Sequence, residues 1–135
     1  MSRPPILRVS ETVLYAADLG PTADFYARVL GLRELPARSE LSAKFRLPDR
    51  GVLLVFDPRT SALPGREVPS HGAVGPGHVA FDVPAGCLQR WREELERRAV
   101  PIEREVAWDR GGRSIYVRDP AGNSVELVEG SIWPD

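Results

Sequence analysis

The sequence carries two histidines, and one of them opens a run in which apolar and polar residues alternate. In His78-Val79-Ala80-Phe81-Asp82-Val83 the apolar set is Val79, Phe81 and Val83, so His78 and Asp82 point the other way. In Ser124-Val125-Glu126-Leu127-Val128 the same alternation separates Val125 and Leu127 from Ser124, Glu126 and Val128. Near the N-terminus Leu14 and Ala16 form one face of a strand and leave Glu11, Val13 and Tyr15 on the other. One imidazole and two carboxylates meeting in a cleft suit a divalent metal such as Zn, Fe, Mn, Ni or Co. Glu11, His78 and Glu126 are therefore candidate metal ligands. A hydrogen-bonded strand histidine and solvated glutamates are the plain alternative.

Other side chains can line such a cleft. With Leu53 and Val55 packed inward, Leu54 and Phe56 face outward beside Tyr15, and the two aromatics supply a wall. His71, in Ser70-His71-Gly72-Ala73, lies on a long loop and can serve as a ligand, an acid or base, or a substrate contact; a solvated loop histidine is the alternative. Arg113, with Arg110 and Arg118 nearby, offers guanidinium groups for an anionic substrate, although surface arginine is the commoner case. The lone Cys87 cannot form an intramolecular disulfide or build a thiolate metal site and reads as a small buried or half-buried residue rather than a catalytic thiol.

The elements that must position these groups follow from periodicity and turn chemistry. A strand over Arg8 to Ala17 leads through a turn at Asp18 to Thr22 into a helix marked by Phe25, Tyr26, Val29 and Leu30 and stopped by Gly31. Extended runs at Leu32 to Leu35, Ala43 to Leu47 and Gly51 to Phe56 complete a βαβββ unit. From Asp57 to Gly77 the chain is rich in Pro, Gly and Ser, without periodicity, and is expected to be its most mobile internal part. The pattern then repeats: a strand from His78 to Val83, a helix through Leu88, Trp91 and Leu95, and strands at Ile102 to Trp108, Arg113 to Arg118 and Ser124 to Val128. A duplicated βαβββ unit predicts an α+β fold in which two four-stranded halves join into one curved half-barrel sheet with a concave cleft. The 135 residues would form a single domain, with module 1 at about 8–56, a linker at about 57–77 and module 2 at about 78–131.

Composition narrows the partners. Eighteen Lys and Arg against 19 Asp and Glu give a net charge of -1, so no global field attracts a phosphate backbone or an anionic lipid surface. Apolar residues make up 42% and charged residues 27%, the balance of an ordinary globular protein. No run reaches the length of a signal peptide core or a membrane span, so a cytoplasmic location is expected.

Two longer segments resemble a known family. Ala23-Asp24-Phe25-Tyr26-Ala27-Arg28-Val29-Leu30-Gly31-Leu32, with the strand from Glu11 before it, is similar to the first module of the vicinal oxygen chelate superfamily. Gly77 to Val83 and Arg118-Asp119-Pro120-Ala121-Gly122-Asn123-Ser124-Val125-Glu126-Leu127 are similar to its second. This group holds the glyoxalases, bleomycin-resistance proteins and extradiol dioxygenases. The resemblance implies metal ligands at Glu11, Leu54, His78 and Glu126. Leu54 cannot ligate, which argues against a plain glyoxalase and leaves Glu11, His78 and Glu126. It further implies a small oxygen-rich substrate, a metal-stabilised oxyanion or enolate, a ligand glutamate (Glu11 or Glu126) that moves a proton, and a homodimer. Sequestration of a small drug or metabolite without chemistry, as in the bleomycin-resistance branch, is the alternative.

Overall fold

The computed structural model describes residues 2–135. Eight strands and three helices follow in the order β1 Glu11–Tyr15, α1 Leu19–Asp24, β2 Arg33–Glu34, β3 Ser42–Arg46, β4 Val52–Phe56, α2 Pro58–Ser61, β5 His78–Val83, α3 Leu88–Arg97, β6 Arg104–Ala107, β7 Arg113–Arg118 and β8 Ser124–Glu129. The α+β class and the duplicated unit are as expected. The strands form two four-stranded sheets, one per module, ordered β1-β4-β3-β2 and β5-β8-β7-β6. In each, the first strand runs parallel to the last and the other pairings are antiparallel.

Some boundaries differ from the sequence expectation for physical reasons. The first strand begins at Glu11 rather than Arg8, because its β4 partner begins at Val52 and offers no ladder earlier. Residues Leu19 to Thr22, read as a turn, already belong to α1, where Pro21 sits within the first turn and needs no amide donor. The helix then widens into a π-helical turn over Phe25–Val29, with the Leu30 amide donating to the Phe25 carbonyl at 3.2 Å. The segment after β4 is not devoid of structure: Asp57 caps α2 by accepting from the Arg59 amide at 2.9 Å.

Alternation places the core as predicted. Leu14, Ala43, Phe45, Leu53 and Val55 face Leu19, Ala23, Phe25, Tyr26 and Leu30, while Ile115, Val117, Val125 and Leu127 face Leu88 and Leu95. All belong to one buried cluster that runs through both halves. Among the described residues, no helix is long and apolar enough to cross a membrane.

The halves are tied by a buried polar node in the β7–β8 turn. The Asp119 carboxylate, 4% exposed, accepts from the Tyr26 hydroxyl at 2.7 Å, from the Asn123 side chain at 2.9 Å, and from the Ala121 and Asn123 amides. Asn123 in turn donates to the Tyr15 carbonyl at 3.0 Å and accepts from the Gly77 amide at 2.8 Å. Burial, followed by the Asp119 charge, pushes the Tyr26 phenol far above its ordinary range, so it stays a donor. Tyr26→Phe removes a bond to a buried carboxylate and is expected to cost about 1.5–3 kcal/mol, read from urea unfolding.

The same node sets how the halves face each other. Asn123 and Gly77, beside the start of β5, lie against Tyr15 and Leu14 at the end of β1. At the opposite end, Leu47, Pro48 and Asp49, next to the start of β1, share a groove with Ala80 to Pro84. The end of β1 thus lies by the start of β5, and the start of β1 lies toward the end of β5.

Candidate functional site

His78 and Glu126 meet. On the β5–β8 ladder His78 lies opposite Ser124 and Ala80 opposite Glu126, so the two side chains share a face one step apart. The His78 Nε2 stands 3.2 Å from Glu126 Oε1. Glu126 is 4% exposed, whereas the imidazole reaches half into solvent.

The histidine tautomer follows from its other nitrogen. Nδ1 lies 3.1 Å from the Ser124 carbonyl oxygen, which can only accept, so Nδ1 carries the proton. Nε2 is then the ring nitrogen turned toward a carboxylate oxygen. Two acceptors at that distance are held together by a proton on the ring or by a cation. A histidine whose Nδ1 donates to a backbone carbonyl while Nε2 is free is the arrangement metal-binding histidines adopt. The donor chemistry of this pair fits a divalent ion.

The other oxygen of Glu126 is already engaged. Ser114 Oγ donates to Glu126 Oε2 at 2.5 Å and accepts from the Trp108 indole N–H at 2.8 Å. Tyr116 lies opposite Glu126 on β7, with its ring roughly parallel to His78 at a centroid distance of 6.3 Å. Burial, and then the neighbouring Glu126 carboxylate, raise the Tyr116 phenol above its usual range, so it too remains a donor at neutral pH. Ser114, Trp108 and Tyr116 were not expected from the sequence. The signal for two of them is present in it: once Ile115 and Val117 are assigned to the core, Ser114 and Tyr116 must share the face of Glu126.

Glu11 does not join the pair. No group of three side chains able to hold a metal forms among the described residues. By ladder position Glu11 is the counterpart of His78, since Glu11 lies opposite Val52 with Leu54 two residues on, as His78 lies opposite Ser124 with Glu126 two residues on. Because β1 and β5 run in opposite directions, Glu11 sits at the far end of β1 from His78. The strand between Glu11 and Tyr15 spans roughly 13 Å at the usual rise. A chain on its own thus brings His78 and Glu126 together and leaves Glu11 apart from them, on the face of the buried Leu54, which has no donor atom.

The face of β1 and β4 that carries Glu11 also carries the aromatic wall. The Tyr15 hydroxyl and His71 Nδ1 are 2.7 Å apart, and the His71 ring meets Phe56 edge-on at 4.7 Å. The His71 backbone is pinned as well, its amide donating to Ser61 O and its carbonyl accepting from Ser61 Oγ at 2.8 Å. His71, Tyr15 and Phe56 are brought together, on the same face as Leu54. Exchange of amides over 62–77 is expected to be faster than in the strands, and Tyr15→Phe, which releases His71, should speed it further, as hydrogen–deuterium exchange would register.

Arg113 is placed elsewhere. It lies opposite Glu129 on β7, on the side of Ile115 and Val117, and lines a small recess with Leu88, Arg92 and Glu105. By this alternation Arg113, expected to contact an anionic substrate, lies on the opposite face of β7 from Ser114 and Tyr116, which share the face of Glu126. Arg118 does share the face of Tyr116, but it is paired with Glu103 at 2.5 Å.

Residues 8–127 match the family profile described as Glyoxalase/Bleomycin resistance protein/Dioxygenase superfamily. The chain belongs to that superfamily. A solved lactoylglutathione lyase from Agrobacterium tumefaciens is 38% identical, with a TM-score of 0.89 over 98% of this chain and 100% of that one. The superfamily relatives also include a lactoylglutathione lyase from Pseudomonas putida, 27% identical over 89% of this chain and 83% of the relative. A metallothiol transferase FosB from Bacillus licheniformis is 28% identical over 98% of this chain and 82% of the relative. This chain thus sits among superfamily members that carry enzyme names for two different reactions.

Proposed function

We propose that the protein is a divalent-metal-dependent enzyme that acts on a small, oxygen-rich substrate at a site completed between two copies of the chain. The observation that carries this is the His78–Glu126 pair, with its tautomer set by Ser124 and two lone pairs turned to one point. Mn, Fe(II), Zn, Ni or Co suits a site of one imidazole and two carboxylates. Such an ion, when bound, supplies a Lewis acid toward two neighbouring substrate oxygens.

The protein groups divide the remaining tasks. His78 and Glu126 hold one side of the site, and Glu11 of a second copy completes the other, since a two-fold axis can set the first module of one chain against the second module of its mate. Glu126 is buried and hydrogen-bonded, whereas Glu11 is exposed at the start of its strand. Of the two carboxylates, Glu11 is the freer to take up and return a proton, and Glu126 serves mainly to hold. Tyr15, Phe56 and His71 form the wall against which the substrate lies, with His71 placed to donate or accept at its edge. The compartment in this reading is the cytoplasm, and no nucleic acid or membrane takes part.

The relatives' names supply the reactions to test: lactoylglutathione cleavage or formation, and thiol transfer. Turnover in either is expected with metal-supplemented protein and should disappear on treatment with chelator. Turnover that is indifferent to chelation would overturn the metal-dependent reading. One observation favours a second reading, a binding protein without chemistry: Leu54 occupies the fourth ligand position, buried among Val13, Tyr15 and Phe56. That reading requires ligand capture that survives complete removal of metal.

A further inference from the structure

We propose that Ser114 and Trp108 are positioning residues that make Glu126 a ligand through one oxygen only. The inference rests on Glu126 being a metal ligand. An indole N–H can donate but not accept, so the 2.8 Å contact from Trp108 Nε1 requires Ser114 Oγ to accept. The single hydroxyl proton of Ser114 is then left for Glu126 Oε2, 2.5 Å away. The chain of donors thus runs one way, from Trp108 through Ser114 to the carboxylate. Oε2 is held and Oε1 is left pointing at His78, 3.2 Å from Nε2.

Burial makes this restraint strong. Ser114 is 1% exposed and Glu126 4%, so water does not compete for either oxygen, while Trp108 keeps one edge at the surface with 36% exposure. A carboxylate free to rotate can close on an ion with both oxygens. One held by Oε2 would offer an ion only Oε1. The restraint is anchored through the β6–β7 turn, where the Trp108 amide donates to the Gly112 carbonyl at 2.8 Å and the Gly112 amide to Ser131 at 3.1 Å. At Gly112 a Cβ would stand 2.5 Å from the Ser131 carbonyl oxygen, so only glycine lets the C-terminal segment close over this turn.

The test measures Zn(II) affinity of the whole chain by competition with a chromophoric chelator, in wild type and in Ser114→Ala, Ser114→Thr and Trp108→Phe, each first checked for native circular dichroism. Ser114→Ala is expected to weaken Zn(II) binding about tenfold. Ser114→Thr, which keeps the hydroxyl, should stay close to wild type, and Trp108→Phe should show a smaller loss than Ser114→Ala. In metal-free protein, the indole N–H resonance of Trp108 should shift in Glu126→Ala and in Ser114→Ala, and should stay in place in His78→Ala. Folded Ser114→Ala with wild-type Zn(II) affinity overturns the proposal, as does an equal loss in Ser114→Ala and Ser114→Thr. Wild type that binds neither Zn(II) nor, in the same competition, Mn(II), Fe(II), Co(II) or Ni(II) sinks the ligand assignment of Glu126 instead. In that event the indole resonance still decides whether Trp108 and Ser114 hold the carboxylate: a signal unmoved by Glu126→Ala shows that they do not.

Discussion

His78→Ala and Glu126→Gln should each lower divalent-metal affinity by more than about 100-fold, beyond the loss expected when a supporting partner of a ligand is removed. Each substitution takes away one of the two lone pairs that converge in module 2, and the partner left behind has no second protein donor within reach in the same chain. The fold should survive both. Val79, Phe81, Val125 and Leu127 on the reverse face are untouched, His78 is half exposed, and the glutamine amide oxygen still accepts from Ser114. Calorimetric titration with Mn(II) or Zn(II), alongside a urea unfolding curve, separates lost ligation from lost structure. Metal affinity within a few-fold of wild type in both variants would remove these residues from the site.

The second large effect comes from the opposed directions of β1 and β5. If Glu11 of one copy completes the His78–Glu126 half-site of another, Glu11→Ala and Glu126→Ala should each be nearly inactive alone, yet mixing them should restore turnover. In a mixed dimer one site carries both substitutions and the other carries neither. With random exchange of subunits, roughly a quarter of the wild-type sites are regained. A site built within one chain gives no recovery, because every chain in the mixture then lacks a ligand of its own. Light scattering on the same samples should report a dimer.

The contrast between His78 and Glu11 shows what a sequence discloses about such a site. His78, Glu126 and Leu54 could be assigned to faces because strand alternation is local, and each has buried neighbours one residue away: Val79, Val125, and the pair Leu53 and Val55. The same rule gave Tyr15 and Phe56 one shared face. Whether Glu11 reaches His78 depends instead on how one module lies against the other, and that is set by Asp119 and Asn123 through bonds to Tyr26 and Tyr15 many residues away. No spacing encodes those contacts. The family resemblance supplied the list of positions but not which of them meet within a single chain.

Arg113 and Ser114 teach a related lesson. Arg113 was assigned by charge and by nearness to the glycine turn, although Ile115 and Val117 already place it on the helix side. Ser114 carried no such attraction, since a serine on a strand is ordinary. Its bond to Glu126 takes on meaning only when Trp108, from the preceding strand's end, is seen to fix the direction of its proton. How the two sheets lie against each other is likewise a matter of long-range geometry, since no ladder joins β1 to β5.

Elemental analysis of wild-type protein, purified without chelator and then supplemented in turn with Mn, Fe(II), Co, Ni and Zn, tests the metal-dependent reading most directly. It should return about one tightly held ion per chain for at least one of these metals, as expected if each His78–Glu126 half-site is completed by one Glu11. Protein that retains none of the five after gel filtration, while still folded, would contradict it and leave small-molecule binding without metal chemistry in its place.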